Sequence, residues 1–124
     1  MAMTPEERVK KPTHAFLHEI GCIRAGTTED KWPETPTGLY YMPVKGTPIG
    51  VNGIPDFVGF VQTMITADMV GQSLPVFLAV ETKASGKRNN TSANQDARIK
   101  EITSAGGIAL VIDDVEQLKE VLDA

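Results

Sequence analysis

A chain of 124 residues, 41% hydrophobic and 23% charged, has the make-up of one folded domain, 1–124, around one modest core. Its single cysteine, Cys22, excludes an intrachain disulfide framework and a multi-cysteine zinc site. No apolar run nears the ~20 residues of a membrane span, and the acidic start through Glu6 and Glu7 lacks the apolar stretch of a signal peptide. The chain therefore reads as a protein of a reducing cytoplasm with no membrane partner.

The net charge of −4 argues against general coating of nucleic acid. Its distribution matters more. From Glu81 to Glu101 five basic residues face three acidic ones, whereas from Ala109 onward one lysine stands against five acids. A basic face can still surround residues 83–100.

In chain order, Thr4-Pro5-Glu6-Glu7 predicts a helix start, with Thr4 and Glu7 forming a capping box around Pro5. Val9, Phe16, Leu17 and Ile20 continue a helical apolar pattern. Pro12 predicts a kink or two short helices, and Gly21 a stop. Residues 24–38 read as a loop, Leu39–Met42 as a short strand, and 45–53 as a glycine-rich loop. That loop resembles a phosphate loop only superficially, because its spacing is wrong and a strand follows it. A strand is expected from about Ile54 to Ile65. A second, Leu74 to Lys83, is apolar enough to be covered on both faces and central. The two form a hairpin over a long connection, 62–73. Ser92 to Ala105 reads as a helix with Gln95, Ile99 and Ile102 on one face. Gly106-Gly107 ends it, Ile108–Ile112 is a buried strand, and Asp113 or Asp114 caps a last helix. Helix, three strands, helix, strand, helix predicts an α/β fold with a mixed sheet flanked by helices.

Asp56 opens one expected strand, and Glu81-Thr82-Lys83 closes the next. Two carboxylates from neighbouring strands suit a hard cation such as Mg²⁺, with the Thr82 carbonyl as a further oxygen ligand. Glu81 and Lys83 lie two residues apart, so on a strand they share a face about 7 Å apart. A lysine there can deprotonate a water or stabilise a phosphoryl transition state. A bare Glu-x-Lys is usually a solvated pair. At the end of an apolar strand, an uncompensated carboxylate is costly.

Gly53-Ile-Pro-Asp-Phe57, Ala79-Val-Glu-Thr-Lys83, Ser92-Ala-Asn-Gln-Asp96 and Ala105-Gly-Gly-Ile-Ala-Leu-Val111, in that order, resemble the VRR-NUC domain of the PD-(D/E)XK superfamily. The resemblance covers residues 53–122 well and the N-terminal third loosely. It implies a restriction-endonuclease-like αβββαβ core. It implies DNA cleavage with Mg²⁺ or Mn²⁺, Asp56 and Glu81 as metal ligands, Lys83 as the catalytic lysine and Gln95 as the helix glutamine. Stand-alone phage and bacterial members look like structure-specific, homodimeric nucleases related to Holliday-junction resolvases. A cytoplasm, bacterial or of a phage-infected host, follows from the same likeness. The alternative is a nucleic-acid-binding module of this fold, with weak or no cleavage, in a phage replication or recombination assembly.

Gln95 has two compatible readings, a site residue and one half of a capping box with Ser92. A helix glutamate often completes the metal site in this superfamily; Glu7 fits best, with Glu19 the alternative, and Glu7 also serves the cap. Lys87, Arg88, Arg98 and Lys100 are either phosphate contacts or a solvated face. His14 and His18, four apart, lack a third ligand and read as surface or core residues. Cys22 reads as a small buried side chain. Trp32, Tyr40 and Tyr41 read as packing residues before base-stacking ones.

Overall fold

A computed structural model describes residues 2–44, 53 and 55–122. The chain is α/β and forms two compact units, Met1–Thr63 and Met64–Ala124.

The first unit opens with α1, Glu7–Glu19. Thr4 and Glu7 exchange backbone-to-side-chain hydrogen bonds at 3.1 and 3.2 Å, the reciprocal pattern of the expected cap. Pro12 sits inside one unbroken helix, so two separate helices do not form. Val9, Phe16 and Ile20, expected on the packed face, are exposed. Gly21 follows the helix at φ +104°, a left-handed conformation that suits glycine.

The chain then enters β1, Cys22–Arg24, a strand that the sequence pattern does not reveal. Next come a 3-10 turn at Glu29–Lys31, β2 at Gly38–Tyr41 and β3 at Val58–Val61. The sheet order is β1-β2-β3, with β1 parallel and β3 antiparallel to β2. Cys22, Ile23, Leu39 and Tyr40 are its buried centre. Gly59 pairs with Tyr40, and a Cβ there would run into the Leu39 carbonyl and, at 2.7 Å, the Tyr40 Cα. The glycine is what lets β3 lie against β2.

The second unit contains a 3-10 turn at Ala67–Met69, β4 at Leu78–Thr82, α2 at Ala93–Ser104, β5 at Ile108–Ile112 and α3 at Val115–Leu122. β4 and β5 are parallel, with α2 between them in sequence and packed on β5. Ile102, Ala105 and Ile112 are buried. Asp114 Oδ1 accepts from the Glu116 amide at 2.8 Å, capping α3.

Two expectations are corrected. β3 and β4 span four and five residues, far shorter than 54–65 and 74–83. Within the first unit β3 is hydrogen-bonded to β2, and within the second β4 is hydrogen-bonded to β5. Leu78 and Val80 are exposed, so β4 is not covered on both faces. The apolar runs were longer than the ladders, because apolar content alone does not say which backbone finds a partner. The 45–53 glycine-rich loop lies, apart from Gly53, outside the described residues.

Candidate functional site

The second unit brings together three of the expected residues. Glu81 and Lys83 project from the same side of the chain at the end of β4, with Lys83 Nζ 3.9 Å from Glu81 Oε1. Gln95 stands at the third position of α2 and reaches both. Its Nε2 donates to Glu81 Oε1 at 2.8 Å, and its Oε1 accepts from Lys83 Nζ at 2.9 Å.

The orientation of this amide follows from its neighbours. Gln95 Oε1 also accepts from the Ser92 amide at 3.0 Å, while Ser92 Oγ accepts from the Gln95 amide at 3.1 Å. Ser92 N–H and the lysine ammonium can only donate, and a carboxylate can only accept. Only one flip of the amide satisfies all three. Both readings of Gln95 therefore hold: it caps α2 and joins Glu81 to Lys83. The Lys83 side chain is only 18% exposed and Glu81's is 40% exposed, so the ammonium is the more enclosed of the pair. The Lys83 amide donates to the Ile112 carbonyl at 2.8 Å, so Lys83 is tied to the end of β5.

Asp56 belongs to the first unit. Lys10 Nζ, from α1, lies 3.9 Å from its carboxylate and 3.6 Å from Glu6. Glu6, rather than Glu7, thus shares a lysine with Asp56. Its signal was the Glu6–Lys10 spacing of four on a helix. Glu7 is engaged in the cap, and Glu19 is the exposed last residue of α1.

In the second unit Glu81 offers carboxylate oxygens and Thr82 a carbonyl, donors that suit a hard divalent cation; in the first, Asp56 offers a carboxylate. Both contacts to Glu81 engage Oε1, so Oε2 stands outside the network. Among the described residues no group of three or more His, Cys, Asp or Glu is disposed to hold a metal. Such a site would lean on bound waters, as Mg²⁺ sites do.

The basic residues separate. Lys87 and Arg88 line an open hollow of about 630 Å³ with Gly86, Asn89, Asn90 and Asp113. Arg88 Nε donates to the Val111 carbonyl at 2.9 Å. Asp113 Oδ2 accepts from the Gly86 amide at 2.9 Å and Oδ1 from Gln117 at 2.8 Å, fastening this loop to the end of β5. Those bonds, the Gln117 one first, hold the Asp113 carboxyl below its usual range. Lys100 is exposed on α2. Arg98 instead turns its Nε to Glu101 at 2.9 Å. Glu101 is 1% exposed, a buried carboxylate that the sequence did not flag. The contact is Coulombic, its angle falling outside a hydrogen bond.

Among the remaining residues, the Trp32 indole donates to the Thr27 carbonyl at 3.0 Å, and Tyr40 packs against Phe57. Cys22 is buried, which pushes its thiol up. His14 contacts Arg24 and Tyr40.

No family model matches this chain, and no curated protein or solved structure gives a significant match.

Proposed function

We propose that this chain is a metal-dependent DNA endonuclease with a restriction-endonuclease-like core, of the type the VRR-NUC resemblance implies. The observation that carries the reading is the Glu81–Gln95–Lys83 network. A carboxylate and an ammonium meet at a strand end, joined by an amide that a helix cap fixes in place. A solvated Glu-x-Lys pair does not need that support.

In this reading Asp56 and Glu81 hold Mg²⁺ or Mn²⁺, with the Thr82 carbonyl. Glu6, Glu7 or Glu19 is available as the helix carboxylate. The metal supplies an activated water and offsets charge on the phosphate. Lys83 positions the attacking water and stabilises the developing phosphoryl charge. Gln95 keeps the ammonium on the Glu81 side. Lys87, Arg88 and Lys100 contact backbone phosphates without reading sequence. The substrate is branched DNA, and a homodimer would present two active sites for paired nicks.

A second reading is a nucleic-acid-binding module with weak or no cleavage. It is favoured by Asp56, whose carboxylate already lies beside Lys10. One experiment separates the two: incubation with four-way, flap, single-stranded and duplex DNA in Mg²⁺, Mn²⁺ or EDTA. Metal-dependent cleavage of any of these supports the nuclease. Binding without cleavage in every metal supports the module.

A further inference from the structure

The first unit carries a second polar cluster, outside the residues assigned above. Arg24 on β1 and Tyr40 on β2 are register partners, so their side chains stand side by side on one face of the sheet. His14 of α1 touches both. Arg24 Nη1 donates to His14 Nε2 at 3.5 Å, and His14 Nδ1 is hydrogen-bonded to the Tyr40 hydroxyl. The two rings meet edge to face, with centroids 5.7 Å apart.

A guanidinium can only donate. It takes the lone pair of Nε2, so a neutral His14 carries its proton on Nδ1 and gives it to the Tyr40 oxygen. The hydroxyl proton of Tyr40 is then directed away from the histidine. Burial first, then the charges of Arg24 and His18, hold His14 below its usual range, so the neutral form is the relevant one. Among the described residues His14 interacts with Arg24 of β1, Tyr40 of β2 and His18 of α1, and none is a carboxylate. Among the described residues Arg24 makes no ion pair. In a chain with sixteen acidic and twelve basic residues, an exposed arginine left without a carboxylate beside a half-buried imidazole has the chemistry of an anion receptor.

We propose that Arg24, His14 and Tyr40 form a phosphate-binding subsite, distinct from the Glu81–Lys83 chemistry. The guanidinium supplies charge and a planar pair of N–H donors, and the buried Tyr40 hydroxyl holds the His14 ring beside it. An arriving anion that draws Arg24 off His14 Nε2 leaves that nitrogen free to take a proton, which adds a second charge. The phosphate belongs either to a nucleic-acid backbone, which rests on the function proposed above, or to a free phosphate.

The test reads the His14 ring nitrogens by NMR in the full ¹⁵N-labelled chain. Inorganic phosphate is titrated in one arm, and a single-stranded oligonucleotide in EDTA in the other. The free protein is expected to report the Nδ1–H tautomer. Phosphate should shift both His14 nitrogens saturably toward imidazolium. Arg24→Gln should weaken that response roughly tenfold or more, with Arg24→Lys restoring part of it. A shift with inorganic phosphate supports the subsite for a free phosphate; a shift with the oligonucleotide alone supports it for a nucleic-acid backbone. No His14 shift in either arm overturns the subsite, as does an undiminished shift in folded Arg24→Gln. Cleavage is not read here, so an inactive nuclease that still shows the shift keeps the subsite. An active nuclease without it loses the subsite alone.

Discussion

Asp56 and Glu81 are both part-exposed carboxylates, each with a lysine ammonium 3.9 Å away. The distances match, but the surroundings do not. Glu81 in β4 and Lys83 just past its end are cross-linked by Gln95, whose own position is set by the Ser92 cap. Asp56 lies in a bend before β3, and its lysine comes from α1, where it also faces Glu6. A pair with a neutral amide bonded to both of its charges has a fixed geometry. A pair made by a long side chain shared between two acids is worth little by itself.

The comparison breaks first at the two lysines. Lys83→Ala should lower metal-dependent cleavage of a labelled junction by about 10²–10³-fold, as loss of a positioned transition-state donor does. Asp56→Asn should do the same, and both should leave binding in EDTA within a few-fold of wild type. Lys10→Ala should cost only a few-fold in rate. Equal losses at Lys10 and Lys83 would remove the distinction.

Gln95 sharpens it further. Gln95→Ala and Ser92→Ala each remove half of the capping box and should each cost about 1 kcal/mol in denaturant unfolding. Only Gln95→Ala should also lower cleavage, by roughly 10–100-fold, the size typical of groups that orient a ligand.

Three predictions concern the frames around the two pairs. Gly59→Ala should destabilise the first unit by about 1–3 kcal/mol, measured as a lowered unfolding midpoint, because β3 must move off β2. Arg98→Ala should cost the second unit about 1–2 kcal/mol by removing a positive charge from beside buried Glu101, a figure reduced by the arginine's own exposure. DNA affinity should be unchanged, in contrast with Lys87→Ala. The smallest effect is at Asp113. Its folded carboxyl titrates below the ordinary range, so its contribution is present above about pH 4 and lost as the pH falls through the folded value. Asp113→Asn should flatten the acid limb of the stability curve.

The α/β class, the α2 cap and β5 were legible because their signals are local. Ser92-x-x-Gln95 is a reciprocal cap at its own spacing, and Ile108–Ile112 is a bounded apolar run. The Glu81–Gln95–Lys83 contacts follow from the same stretch of chain. β1 was not legible, since three residues, Cys22-Ile23-Arg24, carry no alternation to read. The extents of β3 and β4 were not legible for a different reason. Strand partnership depends on residues far away in sequence, and Leu78 and Val80 look the same whether covered or exposed. Buried Glu101 gave no warning either, because a helix glutamate is ordinarily solvated; Arg98 three residues earlier was its only hint.

Trp32, both tyrosines and Cys22 all fall in the first unit, and residues 64–124 contain none of these types. Indole or phenol fluorescence, near-ultraviolet absorbance and thiol labelling therefore watch the half that holds Asp56 and Arg24. The half with Glu81, Lys83 and Gln95 has no indole, phenol or thiol to report on it. A denaturation curve followed by fluorescence registers a variant such as Arg98→Ala only through unfolding that reaches the first unit. Far-ultraviolet dichroism or amide exchange over α2 and β5 is the observable that registers it.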